Sequence, residues 1–141
     1  TVLNRFLTQT MANMPMQVYG SGHQRTGLMS LSDTITVLAH LIADPPQQGT
    51  HRVINCVTDN LTINEIADTV FNVSKRLGLS PEISHNQFNP RGKNDDARSG
   101  DSICTDYIDQ FIKPESIEDV LTRDFETLLP LKNRVQKKFA T

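Results

Sequence analysis

The chain has 141 residues, of which 37% are apolar and 21% charged, and its net charge is −2. That length suffices for one core, and the charge balance excludes a general nucleic-acid or membrane-surface role, since each requires a basic face. No apolar run approaches the ~20 residues of a membrane span.

Val2, Leu3, Phe6, Leu7 and Met11 fall at helical spacing. They predict an amphipathic helix over 2–12, with Pro15 just past its end. Met16 to Tyr19 predicts a short strand. Gly20-Ser-Gly22 predicts a turn, because glycine takes positive φ without penalty. Leu28 to Leu31 is expected to be a second strand. Ser32 is expected to cap the next helix, with Asp33 in its first turn beside the helix dipole and Ile35, Leu38, Ala39 and Ile42 as an apolar stripe. Pro45-Pro46-Gln-Gln-Gly49 marks an exposed break. Arg52 to Val57 is β-branched and apolar and predicts a buried strand.

Thr62-Ile-Asn-Glu65 is a capping box. The helix it opens carries Ile63, Ile66, Ala67, Val70, Val73 and Leu77, the clearest amphipathic pattern in the chain, and Gly78 closes it. Glu82 to His85 suggests another short strand. Residues 86–102 are polar and without period, as binding or disordered loops are. Thr105 is expected to cap a short helix through Ile112, stopped by Pro114. Ser116 is expected to cap a last helix with Ile117, Val120, Leu121, Leu128 and Leu129, ended or kinked by Pro130. Lys132 to Lys138 is a basic tail. The opening Thr1-Val-Leu-Asn-Arg-Phe6 reads as mid-protein sequence, without a start methionine or signal peptide, so a piece of a longer chain is expected. Cys56 and Cys104 lie far apart. Cys56 is predicted as a small core residue, and a reducing compartment, cytoplasmic or plastid stroma, is expected.

The densest polar chemistry lies at 16–33. Gly20-x-Gly22 is no dinucleotide fingerprint, since position 25 is arginine where a third glycine is needed and a strand, not a helix, is expected to follow. Its glycines let backbone amides approach an anion, Gln24 adds an amide, and Arg25 adds a planar fork suited to phosphate oxygens. On spacing alone, a glycine turn with a solvated arginine is the reading to prefer. Tyr19 can stack on a base or serve as a half-buried strand aromatic. Arg91 and Arg98 can bind an anion or stay solvated. His23 and His40 read as surface or packed histidines, Asp95-Asp96 as a solvated pair, and no histidine or cysteine cluster has metal spacing.

Val18-Tyr-Gly-Ser-Gly-His-Gln24, followed nine residues later by Asp33, resembles the C-terminal half of the extended short-chain dehydrogenase/reductases that act on sugar nucleotides, the NAD-dependent epimerase/dehydratase family. Leu3-Asn-Arg-Phe6, Ser32-Asp-Thr34, Arg52-Val-Ile-Asn55, Thr62-Ile-Asn-Glu-Ile-Ala67, Asn89-Pro-Arg91 and Lys132-Asn-Arg-Val135 extend the resemblance over nearly the whole chain and place it nearest the UDP-sulfoquinovose synthase branch.

The resemblance implies an α/β fold, α+β-like, with short strands and about four to five helices. It implies that residues 1–141 form a C-terminal substrate-binding domain, and that NAD and the catalytic Tyr-x-x-x-Lys pair belong to an N-terminal Rossmann domain outside this chain. The substrate would be a UDP-sugar, held by Tyr19, Gly20, Gly22, Gln24, Arg25, Thr26 and Arg91. The parent would be an epimerase, a dehydratase or a sulfoquinovose-forming synthase, with a homodimer left open.

Two departures stand out. The family order is glutamine, any residue, arginine; here Arg25 directly follows Gln24, and Thr26 holds the arginine position. A one-residue shift in a strand turns a side chain to the opposite face. The aromatics that follow Asn-Pro-Arg in that branch are replaced by Gly92-Lys-Asn-Asp-Asp-Ala-Arg-Ser-Gly100. Tyr19 is followed four residues on by His23, and Tyr107 by Phe111, so neither makes Tyr-x-x-x-Lys, and this chain alone is expected to catalyse nothing. The alternative is a degenerate interaction or scaffold domain that keeps only the fold.

Overall fold

In the computed structural model, which describes residues 1–88 and 108–139, Thr1 starts the first helix by accepting the Asn4 N–H on its hydroxyl. That helix, α1 (Val2–Met11), buries Phe6, Leu7, Thr10 and Met11. A turn through Asn13, at φ 56°, leads to β1 (Met16–Tyr19). Met16 and Val18 are fully buried and alternate with half-buried Gln17 and Tyr19, as one face of a strand requires. β1 pairs in parallel with β4 (Ile83–Asn86), Met16 opposite Ile83 and Tyr19 opposite Asn86. A second, antiparallel pair joins β2 (Arg25–Leu28) to β3 (Asp59–Thr62), with Arg25 opposite Thr62 and Leu28 opposite Asp59.

The helix α3 (Ile63–Arg76) is the spine of the core. Its capping box is complete: Glu65 N–H donates to the Thr62 hydroxyl at 3.1 Å, and Thr62 N–H donates to the Glu65 carboxylate at 2.7 Å. At the far end Gly78 sits at φ +77°, its N–H bonded to the Lys75 carbonyl, while Leu79 N–H reaches the Ser74 carbonyl, a Schellman closure. Ile63, Ile66, Ala67, Val70 and Val73 meet Phe6, Leu7 and Met11 of α1, Met16 and Val18 of β1, and Leu121 and Phe125 of α4 (Ile117–Leu128). Ser116 caps α4, accepting the Asp119 N–H at 3.2 Å. A short 3-10 segment, Leu129–Leu131, holds Pro130 and leads into α5 (Lys132–Phe139). The basic tail is thus helical.

The helix α2 (Leu31–Ala43) stands outside this core. Val37 is its buried apolar residue, whereas Leu31, Ile35, Leu38 and Ile42 are exposed, Ile42 by 80%. The stripe legible in the sequence is real, but it faces out. The helix is anchored at its start, where Asp33 N–H donates to the Ser30 hydroxyl at 3.0 Å and the Asp33 carboxylate accepts the Glu115 N–H at 3.3 Å.

Several expectations are corrected. The second strand lies at Arg25–Leu28, not Leu28–Leu31, and Ser30, not Ser32, is the N-cap. Residues 52–57 form no strand, and Val53 is 82% exposed. β-branched residues favour strands only where an edge is free to pair, and the β2 edge is taken by Asp59–Thr62, a segment with no strand signature. Cys56 is a half-buried free thiol rather than a core residue. The helix expected from Thr105 to Ile112 appears in its described part as a 3-10 turn, Ile108–Gln110, and the rest lies outside the described residues. The strand expected at Glu82–His85 is β4, one residue later.

Candidate functional site

The loop between β1 and β2 is where the predicted binding residues meet. Gly20 and Gly22 adopt φ +68° and +72°, a region that side chains other than glycine, asparagine and aspartate seldom enter. The start of α3 holds the loop from behind. Asn64 N–H donates to the Gly22 carbonyl at 3.0 Å, the Asn64 carboxamide N–H donates to the Ser21 carbonyl at 3.1 Å, and Ile63 N–H donates to the Gln24 carbonyl at 3.1 Å. A Cβ at Gly22 would stand 2.6 Å from Asn64 Cγ. Gly22 is buried there, while Ser21 and His23 on either side are exposed.

Gln24 turns inward, its carboxamide N–H donating to the Tyr19 carbonyl at 3.3 Å. Its Oε1, together with Asn60 Oδ1 and Asn64 Oδ1, is buried and finds no hydrogen-bond donor among the described residues. Such acceptors are costly unless a donor reaches them. Three carboxamide oxygens on one loop and its supporting strand and helix make this region suited to a ligand that carries hydroxyl or N–H groups.

Arg25 is exposed at the first position of β2, where its guanidinium donates to the Asn60 carbonyl at 2.6 Å. The Glu65 carboxyl is held below its ordinary value, first by the Thr62 backbone N–H, then by the Thr62 hydroxyl, and further by the Arg25 charge. Arg25 therefore braces the antiparallel β2–β3 pair as well as supplying positive charge. Thr26, half-buried, stands opposite Leu61. Tyr19 is half-buried, and Arg5 of α1 lies over its ring at 5.1 Å and over Phe6 at 5.2 Å while donating to the Gln17 carbonyl at 3.0 Å. One face of the tyrosine is thus taken by a cation. Beside Arg5 opens a groove of about 340 Å³ lined by Asn4, Thr8, Gln9, Met14 and Phe139. Arg91 and Arg98 lie outside the described residues.

The structure thus brings together Tyr19, Gly20, Gly22, Gln24, Arg25 and Thr26, and adds Arg5, Asn60 and Asn64, which the sequence reading passed over as site residues. Asn64 sits inside the capping-box motif, but nothing in the sequence shows that its side chain spans 43 residues to Ser21. His40 lies at the surface with its ring centroid 6.1 Å from Phe111. Among the described residues no group of three or more histidine, cysteine or acidic side chains could hold a metal ion, and no helix is long and apolar enough to cross a membrane.

No protein-family model matches the chain. In sequence it is 38% identical over 91 residues to the UDP-sulfoquinovose synthase of Sulfolobus acidocaldarius, a match covering 64% of this chain and 23% of that enzyme. It is 35% identical over 82 residues to the chloroplastic UDP-sulfoquinovose synthase of Spinacia oleracea, covering 58% of this chain and 17% of the enzyme. In fold it is similar to a mutant UDP-glucuronic acid 4-epimerase from Bacillus cereus, solved with UDP-4-deoxy-4-fluoro-glucuronic acid and NAD. That superposition has a TM-score of 0.65 and 16% identity, and covers 93% of this chain and 40% of the epimerase. The chain spans less than a quarter of the length of the curated relatives it matches, and the match is to the C-terminal part of these enzymes.

Proposed function

From a chain related in sequence to UDP-sulfoquinovose synthases, with the C-terminal fold of the extended short-chain dehydrogenase/reductases, we propose the substrate-binding part of an NAD-dependent enzyme that modifies a UDP-sugar. The observation that carries this reading is the loop Tyr19–Thr26. Its two positive-φ glycines, Arg25 at its exit and the inward carboxamides around Gln24 combine groups for an anion with groups for hydroxyls. The loop would hold the diphosphate, with Thr26 beside it, Tyr19 would lie by the base, and Arg91 would reach the nucleotide from its own segment. NAD and the proton-transferring tyrosine would come from a Rossmann domain in the remainder of a longer polypeptide. The sugar would be oxidised transiently at C4, and this part would supply orientation, so that remote binding energy serves the reacting centre.

The outward stripe of α2 fits the same reading. Four exposed apolar side chains on one helix form a surface that monomeric proteins usually cover. With relatives more than four times the length of the matched segment, the covering surface proposed here is the rest of the polypeptide.

A second reading, a non-catalytic interaction module, is favoured by one observation: the Arg25 guanidinium is committed to the Asn60 carbonyl. Calorimetric titration of the full-length protein with UDP separates the two. In the enzyme reading, Arg25→Ala weakens UDP binding by about tenfold, the worth of one charge-assisted hydrogen bond. In the module reading UDP does not bind, and the substitution changes only stability.

A further inference from the structure

We infer that Asn64 is the positioning residue of the glycine loop, setting the direction in which the loop's amides face the diphosphate; the inference rests on the proposed UDP-sugar reading. A trans peptide is planar, so the carbonyl of one residue and the N–H of the next point in opposite directions. All peptides described here are trans. The Ser21 carbonyl is held by the Asn64 side chain and the Gly22 carbonyl by the Asn64 backbone N–H. The N–H groups of Gly22 and His23 are consequently turned away from α3, toward the opposite face of the loop. Consecutive amides presented this way form an anion cradle. The Ser21 hydroxyl accepts the His23 N–H at 3.3 Å, a long bond that an anionic oxygen can replace with a shorter one.

One residue thus fixes two consecutive peptide planes. The positive φ of Gly22 belongs to the same device, since the Asn64 side chain occupies the space a Cβ would need there. Asn64 in turn is fixed by position, one residue after the buried Ile63 and one before Glu65 of the capping box. The helix start and the loop are therefore one rigid piece. Removal of the carboxamide deletes the bond that draws the Ser21 carbonyl toward α3, and with it that constraint on the direction of the Gly22 amide.

The test uses the full-length protein, with UDP and uridine as probes and uridine measured by competition against UDP. Asn64→Ala is expected to weaken UDP by about tenfold, to leave uridine within about twofold, and to retain a cooperative thermal unfolding transition. Asn64→Ser, compatible with a first helical turn, is the second variant should the alanine form fail to fold. A purely structural role would weaken both ligands together or shift only the unfolding temperature, and either result overturns the inference. Unchanged UDP affinity in a folded variant overturns it as well. If the unmodified protein binds no UDP, the functional reading itself fails and takes this inference with it. If it binds UDP and only the variants are indifferent, the inference alone fails.

Discussion

Gly22→Ala tests whether the loop is locked onto α3 as described. Two costs are expected. Gly22 sits at φ +72°, where an alanine loses roughly 1–2 kcal/mol. The new Cβ would also overlap the Asn64 side chain, at 2.6 Å from Cγ and 2.8 Å from Nδ2. Asn64 can rotate away, so the second cost is its bond to the Ser21 carbonyl, about 1 kcal/mol. The total is about 2–3 kcal/mol. Gly78 is the internal reference: its φ is +77°, yet a Cβ there meets nothing within 4 Å, so Gly78→Ala should cost only the backbone strain. Urea unfolding of both variants measures the difference, with the slope of the transition checked for constancy. In an Asn64→Ala background, Gly22→Ala should fall to the cost of Gly78→Ala. Equal destabilisation by the two glycine substitutions in the wild-type background would refute the lock.

Three further outcomes are expected. Phe125→Ala removes a fully buried ring against α3 and should cost about 3–5 kcal/mol in the same unfolding assay. Glu65 has its folded pKa depressed by the Thr62 N–H and hydroxyl, so its contribution is present above the ordinary glutamate value of about 4.3 and lost as pH falls through the lower folded value. Glu65→Gln should flatten that part of the acid limb, read by thermal unfolding at stepped pH, and an unchanged limb would count against the capping box as its source. On α2, the bare apolar face is expected to make the 141-residue chain self-associate with rising concentration on size exclusion, and Leu38→Glu should abolish this while leaving the unfolding temperature nearly unchanged. A large loss of stability instead would show that the helix face is already packed.

Local signals were legible where a residue acts through its immediate neighbours. The capping box at Thr62, the Gly78 closure and the Phe6–Met11 face are each set within one or two turns of one helix, and all appear as the sequence predicts. Failures occurred where a partner decides. Arg52–Val57 has strand composition, but the open edge is taken by Asp59–Thr62, whose aspartate and asparagine signal a turn. The stripe on α2 was recognisable as apolar, yet amphipathicity does not say what covers it, and in this chain the face is bare. At the site, contiguous Tyr19 to Thr26 could be named because one loop carries them. Arg5, Asn60 and Asn64 arrive from separate elements: Arg5 reaches β1 from α1, and Asn60 lies on β3, whose pairing with β2 the sequence did not reveal. The same pairing sets Arg25 opposite Thr62, with its guanidinium on the Asn60 carbonyl, and Thr26 opposite Leu61.

Hydrogen exchange of the full-length protein with and without UDP, read peptide by peptide, locates the nucleotide directly. The account predicts slowed exchange in the segment from Tyr19 to Thr26 and at the start of α3, with the exposed face of α5 unaffected. Protection confined to other segments, with the Gly20–Gly22 amides exchanging as fast with UDP as without it, would contradict the assignment of this loop as the diphosphate site.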